Sequence, residues 1–89
     1  MKAIVSVIGK DNFGILANVS KTCSDNHANI LDVTQSVLQD MFVMVMQIDI
    51  SHKDCDFMKL KGDFAALAES INMQINLMHE DIFNSMHRI

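Results

Sequence analysis

Arginine is almost missing from this 89-residue sequence: Arg88 is the only one, and the lysines are scattered, with Lys59 and Lys61 the nearest pair. Seven Lys and Arg stand against eleven Asp and Glu, a net charge of −4 at pH 7. Nucleic acid is held mainly by cations that neutralise phosphates. A chain without a basic patch is therefore expected to bind neither nucleic acid directly nor an anionic membrane surface. Cysteine is scarce as well, with Cys23 and Cys55 the two present. One pair makes no disulfide framework and cannot alone hold an iron–sulfur cluster. No apolar run approaches the roughly 20 residues of a membrane helix. The opening Met1-Lys2-Ala3-Ile4-Val5 is interrupted at Ser6 and Gly9 before a leader-like apolar region develops. A cytoplasmic location is the expectation.

The motifs of common chemistries are also lacking. There is no G-x-S-x-G elbow and no G-x-x-x-x-G-K-[ST] loop. After the first apolar run comes GKDNFG, which offers neither a Cys-x-x-Cys for a metal carrier nor an arginine to cradle phosphate. Cys23 falls on an apolar helical stripe, a poor place for a nucleophile. His79, Glu80, Asp81 and His87 resemble a metal cluster, but no His pair repeats at i, i+4. Surface polar groups, with Asp81 capping a short helix, read better. Neither catalysis, nor a metal, nor a cofactor is expected. Eight methionines invite thoughts of soft copper ligands. Met44 and Met46 share a strand face with Phe42 and Ile48, however, and read as core, leaving Met41 and Met78 as candidates for an interface.

What is present is patterning. Hydrophobic residues make up 49% and charged residues 20%, an ordinary globular balance for one domain over residues 1–89. Ala3 to Ile8 is β-branched and apolar on both faces, as a central strand is. Ile15, Leu16, Val19 and Cys23 then form a helical stripe to about Asp25, with Asn26-His27-Ala28-Asn29 as its stop, asparagine tolerating the left-handed conformation. Ile30 to Leu38 alternates, with Leu31, Val33 and Val37 on one side. After a turn at Gln39-Asp40, Met41 to Ser51 alternates in its turn, predicting a hairpin. Asp54 or Asp56 is placed to cap a helix carrying Phe57, Leu60, Phe64, Leu67, Ala68 and Ile71. Met73 to Glu80 reads as the last strand, followed by a short helix with Ile82, Phe83 and Met86 on its inner side.

The order β-α-β-β-α-β predicts an α+β, ferredoxin-like plait: a four-stranded antiparallel sheet, two helices on one face, and a short C-terminal helix. Fold alone assigns no function. The strongest local candidate is the segment from Gly9 to Gly14, where a helix follows immediately. Backbone N–H groups at a helix start attract carboxylates, and Asp11 and Asn12 beside them suit the rest of a zwitterion. A plain turn with Asp or Asn capping the helix is the alternative.

Asp11-Asn12-Phe13-Gly14-Ile15-Leu16-Ala17 resembles the D-x-x-G-[IVL]-[LV] signature of ACT domains. His27-Ala28-Asn29-Ile30 resembles the [GN]-x-N-I start of their second strand. The ending His79-Glu80-Asp81-Ile82-Phe83-Asn84-Ser85-Met86-His87-Arg88-Ile89 is similar to that of free-standing bacterial and archaeal ACT proteins. These in turn are similar to half of the tandem-ACT repressor of the glycine cleavage system. The resemblance spans residues 1–89 and departs at Gly9, where many amino-acid-binding members place His, and at Phe13, often Pro. It implies a regulatory homodimer holding an amino acid between a loop of one subunit and the second strand of the other. Asp11 would meet the ligand's amino group, with Asn12, Phe13, Gly14, Ile15 and Leu16 around it and Asn29 reaching in from the partner. A ligand-free dimeric module that docks on a metabolic enzyme or regulator is the competing expectation.

Overall fold

The computed structural model describes residues 1–10 and 13–86. Its elements follow the expected order: β1 (Lys2–Lys10), α1 (Ile15–Asp25), β2 (Asn29–Leu38), β3 (Met41–Asp49), α2 (Phe57–Ile71), β4 (Gln74–His79) and α3 (Glu80–Met86). The strands form one sheet in the order β2-β3-β1-β4, every neighbouring pair antiparallel. This is the ferredoxin-like plait. β1, apolar on both faces, lies inside it, and β2 and β4 are the edges.

Period-two alternation sorts the sheet's side chains. Ala3, Val5 and Val7 of β1 and Met44, Met46 and Ile48 of β3 are fully buried beneath the helices. They meet Val19 and Cys23 of α1 and Leu60 and Phe64 of α2 in one cluster. The methionines expected in the core are there. α2 starts where Asp56 Oδ1 accepts a hydrogen bond of 3.0 Å from the Met58 N–H. Gly62 is exposed on this helix, and a Cβ there would meet no atom within 4 Å. Gly62→Ala is therefore expected to stabilise the fold by about 1 kcal/mol, read as a rise of a few degrees in thermal melting.

Details of α1, β2 and α3 differ from the pattern. The left-handed residue after α1 is His27 (φ 57), not an asparagine. Asn26 instead caps the helix with φ −106 and is buried, with 3% exposure. Its amide donates to Thr22 O (2.8 Å) and Asp63 Oδ2 (2.9 Å), and its oxygen accepts from Lys59 Nζ (3.1 Å). One short side chain thus ties the end of α1 to α2. Asn26→Ala should cost roughly 1–3 kcal/mol, measured by chemical denaturation. The Asp63 carboxyl is held below the usual carboxylate range by the hydrogen bond from Asn26 and then by Lys59. Its contribution to stability is present above about pH 4, the unfolded aspartate value. It disappears as pH falls through the lower folded value, and Asn26→Ala should raise that value.

The second detail is in β2. A register shift between Ile30 and Asp32 inserts Leu31 as an extra residue. Ile30 and Val33 reach the core, whereas Leu31 remains 43% exposed. Val37, although paired with the buried Phe42, is 53% exposed on the edge strand.

α3 begins at Glu80, so Asp81 sits in its first turn beside Glu80 rather than capping it. Both carboxylates there favour the positive end of the helix. Ile82 is 52% exposed and so is not on the inner side, while Phe83 is half-buried. The helix contacts β1 and β4. Glu80 Oε2 accepts from Gln47 Nε2 (3.1 Å), a residue on the sheet face away from α1 and α2. Ile4 on that same face is 7% exposed yet lies outside the main core cluster. α3 is therefore the cover of one end of the second face.

Candidate functional site

The segment joining β1 to α1 is shaped by Gly14, which has φ 75 and is the N-cap of α1. This left-handed conformation favours glycine, and the N-cap position itself carries no side chain to accept from the first turn. Asn18 N–H to Gly14 O (2.9 Å) is a first-turn bond. Ile15 is 4% exposed and anchors the helix start in the core, while Leu16 beside it is 39% exposed. Phe13 is 99% exposed. Asp11 and Asn12 lie outside the described residues.

Asn29 lies far from this segment within one chain. It pairs with Asp49, which pairs with Lys2, at one end of the sheet. Leu38, Met41 and Lys10 line up at the other end, where β1 leads into the loop. Nine strand steps of about 3.4 Å separate the two ends by roughly 30 Å. The structure brings Phe13, Gly14, Ile15 and Leu16 together, and leaves Asn29 apart from them.

A cavity of about 410 Å³ opens at the loop end of the sheet, lined by Ile8, Gly9, Met41, Asn72, Met73 and Gln74. That volume falls in the range of small-molecule pockets. Asn72 is the left-handed cap of α2 (φ 55), and the turn it makes is closed by Met73 N–H to Ala68 O at 2.9 Å. It thereby delivers three consecutive residues to the cavity wall. Sequence reasoning overlooked them, although an asparagine just past the end of a helical stripe at Ile71 was an available signal for such a turn. Another cavity, about 300 Å³, lies at the opposite end of β1 among Met1, Lys2, His79, Glu80 and Asp81.

Against this geometry, a family model described as ACT domain matches residues 2–78. A UPF0237 protein of Methanocaldococcus jannaschii is 44% identical over 88 residues, covering 99% of this chain and 98% of its own. The chain belongs to the ACT domain family. Among solved structures, an ACT domain protein from Streptococcus pneumoniae matches with a TM-score of 0.81 at 38% identity, over 93% of both chains. A candidate glycine cleavage system transcriptional repressor matches with a TM-score of 0.75 at 17% identity, over 85% of this chain and 43% of that one. The latter likeness is one of fold. ACT domains are regulatory ligand-binding domains, so regulation is the family's character.

The remaining candidates of this ACT domain sort by their surroundings. The Cys23 thiol is pushed up to about 11 by burial and then by Cys55, which keeps it protonated and inert at neutral pH. Cys55 is raised too, mainly by burial. His79 stacks on Phe57 on the helical side, with ring centroids 4.3 Å apart and planes at 8°, while Glu80 bonds Gln47 on the other side. The tail cluster is thus split across the sheet, and His87 lies outside the described residues. Among the described residues no group of three His, Cys, Asp or Glu could hold a metal ion. No described helix is long and apolar enough to cross a membrane.

Proposed function

We propose that this ACT domain, acting as one unit over residues 1–89, senses a free amino acid at the interface of a homodimer and has no catalytic role. The observation that carries the reading is the register of the sheet. β2 is a free edge with Leu31, Val37 and Leu38 exposed, and it carries no Lys, Pro or Gly to discourage pairing. Antiparallel pairing of β2 with its copy about a two-fold axis sets Asn29 of the partner beside Leu38, at the loop end of the sheet. Asn29 would then serve the other subunit's site, as the ACT resemblance implies. The ligand's carboxylate would meet the N–H groups at the start of α1, and its ammonium Asp11, within the cytoplasm.

Sedimentation is expected to give a dimer of the 10.0 kDa chain at micromolar concentration; a monomer would refute the interface. A thermal-shift screen of the twenty amino acids should find at least one that raises the melting temperature in a concentration-dependent way. Asn29→Ala should weaken both binding and dimerisation. The exposed Ile8, Leu38, Met41 and Val45 favour a second reading, a ligand-free module whose apolar surface docks on an enzyme or regulator. A dimer that responds to none of the twenty would establish it over the sensor.

A further inference from the structure

The sheet has two faces, and α1 and α2 occupy one of them. On the other, a row across the four strands runs Ser36, Val43, Ile8 and Gln74. The next row runs Thr34, Val45, Ser6 and Asn76. Neither row carries a charge, and yet Ile8 and Val45 are each 36% exposed. Met41 and Leu38, one row further from α3, are exposed as well. The open face of an antiparallel sheet is ordinarily polar and solvated, so this apolar strip is out of keeping with water. α3 covers the same face only at the Ile4 end. A helix is about 10 Å thick, and a second sheet packs about 10 Å away. A sheet seated on the two uncharged rows would therefore lie level with α3 and abut it.

The charges at the two ends of the face select the sheet that fits. At the α3 end, Asp32, Asp49, Glu80 and Asp81 stand against Lys2 and the Met1 ammonium. At the opposite end the strands place Lys10 beside Met41, with Asp40 beyond them in the hairpin turn. Neither Lys10 nor Asp81 has an ion-pair partner among the described residues. Consider a second copy turned end for end, about a two-fold axis between the sheets and at right angles to the strands. Ile8 then lies over the partner's Ser6, and Val43 over the partner's Val45. Lys10 comes over the partner's Ile4, beside the carboxylates that start α3. The partner makes each contact in return. A two-fold axis along the strands would instead set α3 against α3 and bring the acidic ends together, which is unfavourable.

We infer that this open face is an interface with a second copy of the chain, stacked sheet on sheet in the end-for-end orientation. The surface is separate from the β2 edge, and the inference does not rest on the amino-acid reading. Four overlapping rows of four strands measure roughly 20 by 25 Å, or about 500 Å² a side. A standard interface buries about 800 Å² a side, so the contact is expected to strengthen visibly with concentration.

Sedimentation of wild type, Val45→Glu, Ile8→Glu and Lys10→Glu from about 1 μM to about 1 mM tests it, after thermal melting of each. Val45 and Ile8 are partly in water, so both variants should fold. Wild type should double its mass across this range. A glutamate in either uncharged row enters the two-fold interface twice, without a cation to meet it. Val45→Glu and Ile8→Glu should each raise the dissociation constant of the doubling by about 100-fold or more. Lys10→Glu should raise it by about 10-fold at low salt, a difference that added salt narrows. Ile8 lies two strands from β2, so its replacement leaves the edge alone. A tetramer reduced to a dimer by Ile8→Glu establishes both contacts, and a dimer reduced to a monomer establishes the face and refutes the edge. A dimer unchanged by Val45→Glu and Ile8→Glu overturns the face and leaves edge pairing standing. An unchanged constant in Lys10→Glu overturns the end-for-end orientation. A monomer at every concentration overturns both contacts and leaves the face to a different protein.

Discussion

Asp11→Ala is expected to abolish amino-acid binding while leaving the melting temperature of the unliganded protein and its dimerisation nearly unchanged. Asp11 falls between the end of β1 at Lys10 and the start of α1 at Ile15, so its replacement disturbs neither element's ladder of hydrogen bonds. An ammonium group withdrawn from water needs a carboxylate to meet it. Removing one partner of such a pair costs roughly 3–5 kcal/mol, because the other is left uncompensated. That corresponds to a loss of about two to three and a half powers of ten in affinity. Asp11→Asn separates charge from shape: it keeps a hydrogen-bond acceptor, and should recover only part of the lost affinity. Isothermal titration of the three proteins with the ligand found by thermal shift reads the result. Full-strength binding by Asp11→Ala would place the ammonium elsewhere.

The architecture was legible because each element carries its own period. The stripe of α2 from Phe57 to Ile71 and the alternation of β3 each name one buried face, and two helices and four strands with such faces have one economical packing. The details that escaped are those a long-range neighbour decides. The register shift at Leu31 breaks the period of two, and nothing within β2 itself announces it. Asn26 reads locally as a helix stop. Its hydrogen bonds to Asp63 and Lys59, 37 and 33 residues away, make it a tie between helices. The left-handed conformation falls on His27, so that the Ala28 N–H can close on Cys23 O at 2.9 Å. In the candidate site, the loop glycine and the start of α1 were readable from spacing. The cavity wall at Asn72, Met73 and Gln74 was not, because it joins the loop only once β4 pairs with β1, Gln74 opposite Ile8.

Ile4 offers the sharpest test of what α3 does. On an antiparallel sheet with helices on one side, the second face is ordinarily open to water, and a β1 side chain there should be partly exposed. Ile8, on the same face of β1, is 36% exposed, whereas Ile4 is 7% exposed. The difference is the cover supplied by α3, held down by Glu80 on Gln47 and by the half-buried Phe83. Ile4→Ala should therefore behave as a core truncation, costing roughly 2–5 kcal/mol. For a chain of this size that lowers the melting temperature by roughly 10–30 °C. Ending the chain after His79 should destabilise as well, since Ile4 and Gln47 would both face water. The decisive quantity is the coupling. In the shortened chain Ile4 is no longer buried, so Ile4→Ala should cost only about 0.5 kcal/mol there, as surface substitutions do. Two residues in contact must show that non-additivity. Equal costs in the long and short chains would mean that Ile4 is buried by something other than α3, and that the C-terminal helix serves a partner rather than the fold.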